Sequence, residues 1–134
     1  MRLYDLRALE IATFLGSCFA GAFLAWRNFR SLGEHDAARN SLLLGVAGLI
    51  VVAVAALLIE VPERAERSLG FAIQGAQVAA VHVLAKRGLA SIYSAHSAAG
   101  GEFYSRWRAA GIAFLLFVPV AAVFLGIGLL LPAA

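Results

Sequence analysis

Residues 41–59 constrain the fold most strongly, because this stretch contains no charged side chain. At 1.5 Å per residue, a helix of this length matches a hydrocarbon core about 30 Å thick. Within lipid, a helix satisfies its backbone hydrogen bonds internally. The whole chain is 62% hydrophobic and 14% charged, with a mean hydropathy of +0.85, whereas about a quarter of the residues in soluble domains are charged. The sequence therefore predicts an integral membrane protein.

Four apolar segments predict an all-α membrane protein, an up-down bundle of four transmembrane helices within a single helical domain over residues 1–134. Gly33 is a plausible helix stop in the first connector, and Pro62 ends the second helix. The predicted spans cover about 8–26, 41–60, 68–85 and 109–131, and 86–108 is predicted to be a cytoplasmic segment.

The third segment, Ser68–Ala85, leaves an alternative open. It carries no charge but contains Gln74, Gln77 and His82. The alternative is three spans plus an amphipathic helix lying in the membrane interface. The apolar density of Phe71–Ala85 favours four spans, because this stretch is costly to expose to water.

Basic residues, which concentrate on the cytoplasmic side of membrane proteins, do not decide between these predictions. Four spans place seven Lys and Arg residues on one side and four on the other, whereas three spans give eight against three. Both arrangements make Lys86–Arg108 cytoplasmic and the C-terminus external.

Small residues indicate surfaces for close helix packing. Ser17 and Gly21 are four residues apart in the first span, and Gly45 and Gly48 lie in the second. Such residues let helix backbones approach closely in membranes. The leading expectation is a non-enzymatic interaction or accessory subunit that associates with itself or with a larger membrane assembly.

Polar residues within the apolar segments suggest a second function. Glu10, Gln74, Gln77 and His82 could form a polar seam, and an oligomer could use it as a channel or transport path. Glu10 is expected to lie at the membrane interface and to pair with Arg7. The sequence predicts no metal site and no cofactor, because the other candidate ligands are not at local ligand spacing from His82. The single cysteine, Cys18, excludes an internal disulfide.

Aromatic and basic residues in the cytoplasmic segment predict contact with lipid headgroups. Membrane lipids are therefore expected partners, whereas nucleic acid is not, because the basic residues are scattered between apolar runs. A lipid-headgroup enzyme using His96 is a less favoured function, and no catalytic motif is present. The predicted headgroup contacts are Lys86, Arg87, Arg106, Trp107 and Arg108.

The stretch Ala12–Gly45 carries a glycine-containing first span, the connector Asn28-Phe29-Arg30-Ser31-Leu32-Gly33 and the sequence Ala37-Ala38-Arg39. This pattern resembles a group of small uncharacterised bacterial inner-membrane proteins with four apolar segments and an N-x-R-x-L-G connector. Their later part is similar to His96, Gly100-Gly101, Trp107 and Gly111. The resemblance implies a bacterial inner-membrane setting and supplies no activity.

Overall fold

Within the residues that the structure describes, the protein folds into four long helices, each long and apolar enough, by length and composition, to cross a membrane. A computed structural model describes residues 1–59 and 62–130. The prediction of an all-α, multi-helix membrane protein is confirmed, and the predicted span ends at residues 60 and 131 lie outside the described residues. The elements are β1 (Arg2–Leu3), α1 (Leu6–Ser31), α2 (His35–Leu58), α3 (Glu63–Ala98), β2 (Glu102–Phe103) and α4 (Arg106–Leu130).

Helix ends follow local capping chemistry. A carboxylate oxygen of Asp5 accepts a hydrogen bond from the Ala8 N–H at 2.7 Å, which caps the start of α1. The connector after α1 contains Gly33 at φ 80°, consistent with its predicted role as a stop. The α3 helix extends well beyond the predicted span 68–85, because no proline interrupts it before the turn at Gly100, which has φ 71°.

The α1 helix is folded back on itself at Ser17, which has φ 80° and ψ 172°. The Asn28 side chain accepts a hydrogen bond from the Tyr4 N–H and donates one to the Tyr4 carbonyl, both at 2.8 Å. In a straight helix these two residues would be about 36 Å apart. Residues 6–16 and 18–31 therefore form two antiparallel halves of a helical hairpin. We call 16–18 its tip, and its base is the level of Tyr4 and Asn28.

Small side chains allow the two halves of α1 to pack closely. Ala8, Ala12 and Ala20 are fully buried. A Cβ added at Gly21 would overlap the hydroxyl of Thr13 in the opposite half. Gly21, which the sequence predicts to receive another helix, closes the α1 hairpin and also lies against α3, because the same Cβ would be 3.2 Å from a side-chain carbon of Val81.

The α1 hairpin is the centre of the fold. In the most apolar part of α1, 56% of the residues are buried, whereas the corresponding shares for α2, α3 and α4 are 6%, 6% and 11%. Among the described residues, the three other helices pack mainly against α1 and make only marginal contacts with one another. Glycines bring them close, because a Cβ at Gly45 would lie 2.5 Å from that of Ala22, and one at Gly16 would lie 2.6 Å from the Ala113 carbonyl oxygen.

A two-stranded parallel pairing of β1 with β2 ties the N-terminus to the start of α4. The strands are parallel because α1 and α4 both begin at the hairpin base and run in the same direction. Ion pairs between Arg2 and Glu102 and between Asp5 and Arg106 flank this pairing. Tyr4 is fully buried beneath it.

Candidate functional site: the polar seam at the helix break

The α3 helix carries its polar side chains along the α1 hairpin. Gln77 contacts the tip at Cys18, Gln74 contacts the end of the first half of α1 just before the tip, and His82 contacts that half further from the tip. Together with Glu10 they form one continuous interface, which we call the polar seam: Glu10, Gln74, Gln77 and His82.

Gln74 supplies hydrogen bonds that the break in α1 removes. In a continuous helix the carbonyls of Thr13 and Phe14 would accept from the N–H groups four residues later. The reversal at Ser17 ends the first half of α1, so its last carbonyls need other donors. The Gln74 side-chain amide donates to both carbonyls at 2.7 Å.

Gln77 performs the corresponding role for the second half of α1. Its side-chain oxygen accepts a hydrogen bond from the Cys18 N–H at 2.8 Å. That N–H is the first donor of the new helical segment and has no carbonyl of its own helix in front of it. The two glutamines, three residues apart on α3, thus satisfy backbone groups on both sides of the break.

The sequence predicts that Glu10 pairs with Arg7, but in the structure Glu10 pairs with His82. The Glu10 carboxylate lies 2.5 Å from the His82 ring nitrogen Nδ1, and both side chains are partly buried between α1 and α3. The reason is geometric, because the hairpin turns Glu10 towards α3. The contact gives each side chain a polar partner, which reduces the cost of placing either group in an apolar environment.

Two grooves border the polar seam. One, of about 620 Å³, is lined by Ser17, Gln74 and Gln77 together with apolar side chains of α2 and α4. The Ser17 hydroxyl is buried and has no hydrogen-bond partner among the described residues. The other, of about 670 Å³, lies between the second half of α1, α2 and α3 and is lined mainly by small and aliphatic residues, including Gly45 and Gly48.

No group of three or more His, Cys, Asp or Glu side chains that could hold a metal ion occurs within residues 1–59 and 62–130. His96, considered as a catalytic residue, lies at the far end of α3. Its ring nitrogen hydrogen-bonds to the Glu102 carbonyl at 3.0 Å and its ring packs edge-on against Phe103. This arrangement fastens the α3–α4 turn.

The residues predicted to contact headgroups occupy different environments. Lys86 and Arg87 are exposed on α3, and Trp107 is 87% exposed. Arg106 forms an ion pair with Asp5 at 3.0 Å. Arg108 packs over the ring of Tyr104, 4.6 Å from its centre.

Asn28 is a structural residue that the sequence did not single out. It is 1% exposed and links Tyr4 to Tyr93, whose hydroxyl accepts a hydrogen bond from Asn28 at 3.0 Å. Its partners lie 24 and 65 residues away in the sequence, so local pattern alone gives no sign of them. A buried amide is costly without such partners. Because only the folded-back α1 supplies them, Asn28 favours the hairpin over a straight helix.

These contacts define the site by geometry alone, because no family model, curated protein or solved structure matches this chain.

Proposed function

We propose that this protein is a non-enzymatic integral membrane subunit that associates with itself or with a larger membrane assembly. The observation that carries the proposal is the packing of the outer helices, which use α1 as their common partner and leave most of their apolar surface uncovered. Lipid can cover such a surface, but two features support a structural subunit that associates with protein.

The first feature is the set of uncovered glycines. Among residues 1–59 and 62–130, nothing apart from their own helix backbone and chain neighbours lies within 4 Å of the position that a Cβ would take at Gly70, Gly75, Gly111 and Gly126. Glycine inside a helix costs about 1 kcal/mol relative to alanine, and no packing contact within the described part of the chain offsets this cost at these positions. Close approach of another membrane helix is the usual use of such residues.

The second feature is that the side chains of the polar seam bind other groups of the same chain. Gln74 and Gln77 complete the backbone hydrogen bonding of α1, and Glu10 pairs with His82. These side chains therefore hold the hairpin and are engaged with protein groups. This favours a structural role over the alternative, an oligomeric channel or transporter. Ion or solute flux in reconstituted vesicles that is lost in Gln74→Ala and His82→Ala would support the alternative.

The membrane setting that we propose places the hairpin tip near the middle of a bacterial inner membrane. On α3, the last basic residue before the apolar stretch is Arg67 and the first after it is Lys86, a separation of about 28 Å along a helix. Gln74 and Gln77 lie near the midpoint of this stretch, where Gln77 contacts the tip and Gln74 contacts the residues just before it. The α1 helix would then enter and leave on one face, while α2, α3 and α4 cross.

Charge distribution supports this setting. Of the eleven Lys and Arg residues, only Arg64 and Arg67 lie at the end opposite the hairpin base. This asymmetry exceeds that of either arrangement expected from sequence, and it favours a cytoplasmic base and an external C-terminus.

Association is tested by the mass of the purified protein in lipid nanodiscs and in mild detergent. We expect a multiple of the 14.1 kDa chain, with Gly75→Leu or Gly111→Leu shifting the population towards monomer. Val123→Leu is the matched control, because Val123 is already large and exposed on α4. A wild-type protein that is monomeric and without a protein partner in both settings would overturn the proposal.

A further inference from the structure

Two tyrosine rings form the centre of an aromatic and cationic cluster at the hairpin base. Tyr4 and Tyr104 pack with their ring centres 4.6 Å apart. The guanidinium carbon of Arg27 lies 6.0 Å from the Tyr4 ring centre and 5.7 Å from that of Tyr104. That of Arg108 lies 4.6 Å from the Tyr104 ring centre. Two positive charges thus lie beside one ring.

The fold assembles this cluster from distant parts of the chain. Arg27 is near the end of α1, Tyr4 follows β1, and Tyr104 and Arg108 border the start of α4. The β1–β2 pairing and the hydrogen bond from the Tyr104 N–H to the Leu3 carbonyl, at 2.8 Å, hold these parts together. The positions of the two arginines are therefore fixed by the hairpin base.

The nearby carboxylates are engaged elsewhere. Asp5 caps α1 and pairs with Arg106, and Glu102 pairs with Arg2. Within residues 1–59 and 62–130, neither Arg27 nor Arg108 forms an ion pair. Both guanidinium carbons lie within 6 Å of the Tyr104 ring centre, and like charges repel, so a bound anion would stabilise the arrangement.

We propose that Arg27 and Arg108 together bind the phosphate of an anionic phospholipid headgroup. Guanidinium groups match the geometry of phosphate oxygens and can donate two hydrogen bonds each. The tyrosine rings orient both arginines through cation–π contacts. The cluster thus offers a phosphate two oriented cations.

The surroundings of the cluster indicate a ligand within the membrane interface. Trp107, adjacent to Arg108, is 87% exposed, and Trp26, adjacent to Arg27, packs against Arg30, whose guanidinium carbon is 5.2 Å from a ring centre of Trp26. Exposed Trp and Tyr side chains flanked by basic residues are characteristic of the headgroup level of a bilayer. A phosphate at this level belongs to a lipid.

The assignment revises which basic residues contact lipid most strongly. Arg106, included on sequence grounds, is neutralised by Asp5. Arg27, which is 77 residues from Tyr104 in the sequence, joins the site only through the α1 hairpin.

Native mass spectrometry of the full chain in mild detergent tests the proposal, using phosphatidylglycerol and phosphatidylcholine with identical acyl chains. We expect wild-type protein to prefer phosphatidylglycerol, and Arg27→Gln/Arg108→Gln to lower that preference by roughly tenfold, as expected for two cations at an anionic headgroup. Arg87→Gln is the matched control, because Arg87 is an exposed cation near the same end of the molecule, and we expect a smaller effect from it.

Circular dichroism establishes that each variant is folded. Should the double variant fail to fold, Arg108→Gln alone serves, because Arg108 is exposed and its replacement leaves the hairpin contacts of Arg27 in place. A preference for phosphatidylglycerol that persists in the folded variant, or that Arg87→Gln lowers equally, overturns the proposal. Displacement of the lipid by an equal concentration of inorganic phosphate also overturns it, because the site would then bind free phosphate.

Discussion

At the scale of single residues, Ser17 is the position where the chain accepts a backbone conformation that its side chain disfavours. Its φ of 80° and ψ of 172° lie in a region occupied essentially by glycine. Such a conformation costs about 1–3 kcal/mol for other residues. The buried Ser17 hydroxyl also has no hydrogen-bond partner among the described residues. The helix break is therefore maintained by contacts made elsewhere, above all those of Gln74 and Gln77.

We expect Ser17→Gly to raise the free energy of unfolding by about 1 kcal/mol, because glycine adopts this conformation without strain. The greater flexibility of glycine in the unfolded chain offsets part of this gain. Reversible unfolding in mixed micelles, followed by circular dichroism, measures the change. Ser17→Ala is the control, since it removes the hydroxyl but retains the strained conformation. Equal effects of the two substitutions would show that the hydroxyl, and not the backbone, determines the stability at this position.

The polar residues of the seam were recognisable from sequence as unusual within apolar segments, but their partners were not. Gln74 and Gln77 bond to backbone atoms of Thr13, Phe14 and Cys18. Those atoms are available only because α1 breaks, and no proline marks the break. Residue type therefore predicted which side chains need partners, whereas the identity of the partners depended on the tertiary fold.

At the scale of elements, hydropathy fixed the number and approximate position of the helices but not the path of α1. An apolar segment of this length suits one straight span or two antiparallel half-helices equally well. The signal for a hairpin is a symmetry of small residues about Gly16 and Ser17, with Ala8 opposite Ala25 and Ala12 opposite Gly21. Small-residue spacing by itself predicts a surface for other helices, and Gly45 and Gly48 of α2 lie against Ala22 and Cys18 of α1.

The contact between α1 and α2 depends on a close fit at Gly48. A Cβ at this position would lie 2.8 Å from the Cys18 sulfur. We expect Gly48→Ala to lower the free energy of unfolding by about 1–2 kcal/mol, as is typical of overpacking. In a Cys18→Ala background the sulfur is absent, so Gly48→Ala should cost much less, and a double-mutant cycle of unfolding free energies measures this coupling.

Val51→Ala, on the same helix as Gly48, is the control for the alanine substitution itself, because Val51 is 66% exposed. It should be neutral or slightly stabilising, since alanine favours the helix. Additive effects of Gly48→Ala and Cys18→Ala would contradict the close contact between α1 and α2.

At the scale of the whole molecule, folding back α1 brings the N-terminus, the α1–α2 connector and the α3–α4 turn to the same end. The sequence predicts a cytoplasmic 86–108 segment and leaves the side of the N-terminus open. With straight spans, both the three-span and the four-span arrangement place most of the basic residues on one side, so charge does not choose between them. Because α1 folds back, the arginines before and after it lie at the same end of the molecule. A straight first span would instead divide them between the two sides of the membrane. Charge and helix geometry then favour the same orientation.

Labelling of single cysteines on intact bacterial cells tests this orientation, in a Cys18→Ala background and with a membrane-impermeant thiol reagent. Arg7 and Ser31, each replaced by cysteine, lie in the first and last turns of α1, and both residues are exposed. In the hairpin, both positions lie near its base. We expect both to be protected on intact cells and labelled after permeabilisation, whereas Ser68→Cys, next to Arg67 at the opposite end, is labelled on intact cells. A straight α1 would place Arg7 and Ser31 on opposite faces, so labelling of only one of them on intact cells contradicts the re-entrant hairpin. Labelling of both, with Ser68→Cys protected, would retain the hairpin and reverse its orientation in the membrane.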